Sequence, residues 1–170
     1  MKKNIPLILC LILVFAFTVA AQEPKPATPE KPPATPLEKP IATSNASYAL
    51  IYVYRHKQFA GSGLEPSVYL DEKQMARMDN GRFFVMKVAP GKHTVRSNDK
   101  QSGVEADFVA GKTYYIKVEI VAGFMKGHGR LLMMQPEQAT YEVKKLQPLG
   151  PDKIMDKEAV LNPPPDVPGA

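Results

Sequence analysis

The chain has 170 residues, 44% of them apolar, and a formal net charge of +5, about one domain on the usual size rule. A single cysteine and seventeen prolines exclude a disulfide-stapled mini-domain, and the length excludes a large multidomain enzyme or a polytopic membrane protein. Of fourteen aromatics, Phe15 and Phe17 lie in an N-terminal apolar run and the other twelve fall between Tyr48 and Tyr141, so only that stretch can bury a sizeable core.

Met1-Lys2-Lys3-Asn4 is a short basic segment, followed by thirteen largely apolar residues from Ile5 to Phe17 and small residues at Thr18-Val19-Ala20-Ala21. This is the pattern of a secretory signal peptide over residues 1–21, with cleavage after Ala21 (Val19 at −3) or after Ala20 (Thr18 at −3). An uncleaved anchor is the competing reading. Seventeen residues to Ala21 is short for a span, and Pro6 weakens it. Cys10 has Leu9 before it and apolar residues after it, so it reads as part of the apolar run rather than as a lipid attachment site. The mature chain then has no cysteine, which removes thiol nucleophiles and thiolate metal sites.

Residues 22–44 (QEPKPATPEKPPATPLEKPIATS) contain seven prolines and no aromatic, a composition that cannot offset ordering entropy by burial. They read as an extended, semi-rigid linker, a stalk rather than a ligand for a proline-reading domain.

Residues 45–147 alternate short apolar runs with turn signals, the pattern of an all-β domain. Tyr48–Arg55 (YALIYVYR) predicts a central strand. Ser67–Leu70 and Gln74–Met78 pair across Asp71-Glu72-Lys73. Asp79-Asn80-Gly81 is a turn, because Asn and Gly tolerate the positive φ that tight hairpins need. Strands follow at Arg82–Val88, at Lys92–Ser97 after the Pro90-Gly91 turn, and at Val104–Val109. Thr113–Val121 alternates clearly, with Tyr114, Ile116, Val118 and Ile120 on one face and Lys117 and Glu119 on the other. Leu131–Met134 is a further strand, and Gln138–Leu146 is either a helical turn or an edge strand. The tail, residues 148–170, carries six prolines and has the linker's character, with two turns of helix at most over Lys153–Leu161. The expected fold is all-β, an antiparallel β-sandwich of about eight short strands between a proline-rich linker and a proline-rich tail.

The positive charge resides in residues 45–147, where fifteen Lys and Arg face ten Asp and Glu; the tail has two against four. Such an excess is ordinary for a solvated surface and also suits an anionic lipid, glycan or cell-wall polymer. Nucleic acid is disfavoured, since the destination lies outside the cytoplasm and no recognition motif is present.

None of the three histidines, His56, His93 and His128, sits in a metal-ligand spacing, so no metal and no cofactor is expected. His93 follows the Pro90-Gly91 turn, where bonding turn backbone is the expected role and a general base the alternative. Gly123–Arg130 (GFMKGHGR) combines three glycines with Lys126, His128 and Arg130, and can present N–H groups and positive charge to an anion. Its Phe124 and Met125 suit insertion into a partner groove or, peripherally, a membrane surface. It lacks the Gly-Lys-Ser/Thr ending of a phosphate loop, and a simple hairpin loop is the alternative. Arg55–Gly63 repeats the combination with Arg55, His56, Lys57 and Phe59. No G-x-S-x-G elbow or carboxylate dyad is present.

Five blocks taken in order, Ala49–Arg55, Val68–Asp71, Gly81–Phe84, Ala89–Val95 and Ala110–Ile116, together resemble the bacterial family known as domain of unknown function 2846, over nearly all of 45–147. The Pro-Gly-x-His turn is also similar to that of PEGA-type exported sandwiches. Where the family has Asp-Gly after the second strand, this chain has Asp71-Glu72. The resemblance implies an exported β-domain, often on lipoproteins, with no established activity and no catalytic residues to transfer.

The function expected first is a non-enzymatic exported module that binds a protein or anionic polymer of the cell envelope. Its candidate contacts are Arg55, His56, Phe59, His93, Phe124, Lys126, His128 and Arg130. The alternatives are an envelope-polymer hydrolase or transferase using His93 or His128, and a structural module with no specific ligand.

Overall fold

A computed structural model describes residues 47–98, 103–121 and 127–168. The signal peptide and linker assignments, and the contacts expected of Phe124 and Lys126, lie outside the described residues.

In chain order the elements are β1 (Ala49–Tyr54), β2 (Ser67–Leu70), β3 (Lys73–Arg77), β4 (Arg82–Val88), β5 (Gly91–Arg96), β6 (Gly103–Phe108), β7 (Thr113–Val121) and β8 (His128–Met134). They continue with helix α1 (Pro136–Val143), β9 (Gln147–Pro148), a 3-10 turn (Pro151–Lys153) and β10 (Val160–Leu161). One sheet runs β10-β4-β1-β7-β8, with β9 also on β4; the other runs β3-β2-β5-β6. The all-β sandwich expected from the sequence is the fold. Its pairing is antiparallel except for β1 with β7 and β4 with β9, which run parallel.

β1 explains the layering. All six of its residues are buried, which requires both faces of its sheet to be covered. Ala49, Ile51 and Val53 point into the core between the sheets, with Met86, Ile116, Val118, Val95 and Phe108. Leu50, Tyr52 and Tyr54 point outward into a second cluster with Phe83, Val85 and Tyr115, roofed by Ala139 and Val143 of α1. Each such side chain contributes roughly 1.5–3 kcal/mol by leaving water.

α1 settles the choice left open for Gln138–Leu146. Pro136 stands in its first turn, where a missing N–H costs nothing, and Pro136, Ala139 and Val143 bury one helical stripe.

The turn between β2 and β3 is reduced to Asp71 and Glu72, and Asp71 itself takes the left-handed conformation, with φ +53°. Asp tolerates this region because its short side chain bonds local backbone. Here the Asp71 carboxylate bonds across to β5 instead, accepting from the Thr94 N–H at 3.0 Å.

The tail differs from its expected linker-like character, and Lys153–Leu161 is not helical. Leu149, Ile154 and Val160 are buried in the main core. β9 and β10 share the free edge of β4, while Ile154 bridges Ala76 on the edge of β3. The Met75 carbonyl accepts from both Met155 and Asp156 N–H groups, at 2.9 and 3.1 Å. Proline density concealed this, because the apolar residues come as one to three at a time between prolines and charges and only edge pairing gathers them.

Asp156 locks that strap. Its buried carboxylate pairs with Lys73 at 2.6 Å and accepts from the Glu158 and Ala159 N–H groups. The Lys73 bond holds its pKa below the usual carboxylate value, against the upward push of burial. A carboxyl depressed in the folded state stabilises fully above its unfolded value of 3.8 and loses that contribution as pH falls through the folded value. Asp156→Asn should therefore lower stability at neutral pH by about 1–3 kcal/mol and flatten the loss of stability below about pH 4, read from thermal melts between pH 2 and 7. Parallel pH profiles for wild type and variant would contradict this.

Among the described residues no helix is long and apolar enough to cross a membrane.

Candidate functional site: the β1–β2 loop and its neighbours

The loop from Arg55 to Pro66 leaves β1 at one end of the sandwich, and its shape is set from below. The Arg55 side chain is buried, and its guanidinium donates to the carbonyls of Leu64 at 2.5 Å, Gly61 at 2.7 Å and Met78 at 3.4 Å. Burial lowers its pKa, partly offset by the charge of Asp79. The sequence places Arg55 among the surface contacts, whereas the structure buries it. Its planar fork is spent on three carbonyls inside the protein.

From above, Asn80 clamps Gln58: its Oδ1 accepts from the Gln58 N–H at 2.9 Å and its Nδ2 donates to the Gln58 carbonyl at 2.8 Å. Turn bonds from Ser62 to Phe59 and from Leu64 to Gly61 complete the brace. Gly61 has φ +73°, and a Cβ there would meet Ile120 Cγ2 at 2.9 Å, so the position demands glycine. Phe59 stands at the tip of this braced turn with no part of its side chain covered. A benzyl group wholly in water costs free energy that any apolar pocket would recover.

The stem of the β7–β8 hairpin lies beside this loop. A Cβ on Gly127 would meet Ile120 at 2.9 Å and Leu64 at 3.0 Å, and Gly129 is packed against Ser97 and Pro66. Leu64, Ile120, Gly127 and His128 line a hollow of about 210 Å³. The two loops singled out in the sequence thus meet through Ile120. Arg130 sits half-exposed on the outer sheet face, paired with Glu119 at 2.8 Å.

His56 belongs to a different arrangement. Glu142, on α1, accepts from the Tyr54 hydroxyl at 2.6 Å and from Gln138 at 2.9 Å, and pairs with His56 Nε2 at 2.9 Å. Lys117 stands 3.9 Å away and also pairs with Glu119 at 3.4 Å. Burial pushes the Glu142 pKa up, but the Tyr54 and Gln138 bonds and the charges of His56 and Lys117 outweigh it and hold it low. Burial raises the Tyr54 hydroxyl, and its bond to Glu142 adds to that. Next to this cluster a cleft of about 360 Å³ is lined by His56, Lys57, Tyr141, Glu142, Lys145 and Leu146. Glu142, Tyr141 and Lys145, and the role of Tyr54, escaped the sequence reading, because only packing of α1 on the outer sheet face brings the helix to β1. The one signal for the cluster was Lys117 and Glu119 sharing the polar face of β7.

His93 lies far along the other sheet, on β5. Its Nδ1 meets Asp71 Oδ2 at 2.9 Å, while Asp71 Oδ1 takes the Thr94 N–H. That bond and the Thr94 contact hold the Asp71 carboxyl below its usual pKa. The pair braces the β2–β3 turn against β5, with the ring beside Phe108. The structure therefore does not bring His93 and the β1–β2 loop into one site. Among the described residues there is no group of three or more metal-ligating side chains.

The family model described as "Protein of unknown function (DUF2846)" matches residues 45–130, from the approach to β1 into β8. No curated protein and no solved structure matched the chain. α1 and the β9–β10 strap, which roof the outer sheet face and close the β3–β4 side, follow the matched span.

Proposed function

The chain belongs to the DUF2846 family, proteins of unknown function, and from that premise we propose that its sandwich is a non-enzymatic binding module working in or near the bacterial cell envelope. The observation that carries this reading is Phe59, fully exposed on a turn that Arg55 and Asn80 hold rigid. A pre-organised aromatic anchor loses little conformational entropy on docking, which is the economy of interface hot spots. The partner is an envelope component with an apolar pocket that accepts the ring, and the β7–β8 stem beside Leu64 forms the flank of the contact. The signal-peptide pattern of residues 1–21 and the proline-rich spacer of 22–44 support a position outside the cytoplasm at the end of a stalk.

Phe59→Asp should abolish co-fractionation with the envelope and leave the melting temperature of the purified domain within about 2 °C, since the side chain touches nothing in the fold. Undiminished association of the variant would remove the Phe59 assignment.

A further inference from the structure

The cleft between α1 and the start of the β1–β2 loop has three properties of a ligand site that the docking role of Phe59 does not use. First, its wall carboxylate is already engaged: Glu142 is held by Tyr54, Gln138 and His56, and the Lys117 ammonium at 3.9 Å offsets its charge. Second, Lys57 and Lys145 line the cleft, and neither pairs with a carboxylate among the described residues. Third, Tyr141 is 64% exposed, with Lys145 Nζ 3.6 Å from its ring centroid, so the ring keeps an open side next to an uncompensated cation. Leu146 supplies an apolar patch beside it. A volume of about 360 Å³ is at the lower end of small-molecule sites, where a few placed polar groups on an apolar floor set specificity.

We propose that this cleft binds an acidic saccharide unit, with the C–H face of a sugar ring against Tyr141 and its carboxylate between Lys57 and Lys145. A simple inorganic anion would use the lysines but leave the aromatic and apolar surfaces idle. A neutral sugar would use the ring and leave two unpaired cations at the wall. Only a ring that carries negative charge engages both. The site does not use the Phe59 side chain: Tyr141 and Lys145 lie on α1 and just after it, and Lys57 is the one proposed contact that comes from the loop carrying Phe59.

The test is a titration of the full mature chain with tetragalacturonate, its fully methyl-esterified neutral counterpart, and inorganic phosphate, followed by amide and Tyr141 ring resonances. Tetragalacturonate should bind saturably and shift Tyr141 and Lys145. The ester and phosphate should each bind at least about tenfold more weakly, as expected when one charge contact or one stacking contact is removed. Tyr141→Ala and Lys145→Gln, both at exposed positions, should each weaken tetragalacturonate about tenfold with unchanged melting temperature, while Phe59→Asp should have no effect. Equal affinity for phosphate would reduce the site to an anion patch, and equal affinity for the ester would remove the role of charge. Binding unaffected by either α1 variant, or no binding at all, would overturn the proposal. Loss of envelope association by Phe59→Asp with saccharide binding intact would show that the two sites stand or fall independently.

Discussion

A chain truncated after Leu146 should fail to fold, with no cooperative thermal transition and only residual β signal by circular dichroism. The truncation removes Leu149, Ile154 and Val160, each buried in the main core, and at roughly 1.5–3 kcal/mol apiece their loss alone is about 5–9 kcal/mol. That is comparable to the whole stability of an ordinary domain, about 5–15 kcal/mol. Hydrogen bonding adds to the loss, because the Lys87 N–H no longer reaches Ala159 and the Phe83 and Met75 carbonyls lose their donors. The free edge of β4 would also be left unpaired beside Phe83 and Val85. The single substitution Ile154→Ala gives a milder version, a loss of about 2–4 kcal/mol in urea denaturation. A truncated chain that melts cooperatively near the wild-type temperature would mean that the strap is ornamental.

Arg55→Met should destabilise the domain by roughly 2–3 kcal/mol and leave residues 57–64 open to limited proteolysis. The substitution fills similar space but leaves the Gly61 and Leu64 carbonyls without their donor. Relief of burying a guanidinium that meets carbonyls rather than a carboxylate partly offsets the loss. Arg55→Lys should not restore the brace, because one ammonium cannot reproduce a planar fork that reaches carbonyls three residues apart. Because Phe59 depends on that brace, both variants should also weaken envelope association, whereas Phe59→Asp weakens association alone. A stable Arg55→Met domain with an intact, protease-resistant loop would contradict the mechanism assigned to this residue.

The strands were legible in the sequence because their chemistry is local. Ser67–Leu70, Arg82–Val88 and Thr113–Val121 follow from alternation and turn residues, and each coincides with its observed strand. The β-branched and aromatic run of Tyr48–Arg55 predicted a central strand, and β1 lies between β4 and β7. What was not legible depends on distant partners. Arg55 carries a charge that sequence reading assigns to the surface, yet its carbonyl partners lie 6 to 23 residues away and draw it inside. Glu142 lies 88 residues from Tyr54, and no periodicity within α1 reveals that pairing. The tail misled for the opposite reason: its composition is that of a linker, but Leu149, Ile154 and Val160 fall at the positions where two open sheet edges need filling. The candidate loops were found from composition, whereas their meeting through Ile120 required the fold.

Docking through Phe59 is tested most directly by placing a photo-crosslinking amino acid at position 59 of the full-length chain in intact cells, with position 105 on the exposed side of β6 as control. The account predicts one discrete covalent adduct at position 59, absent from position 105 and lost when Arg55→Met loosens the loop. No adduct at position 59, or the same adduct from both positions, would contradict it.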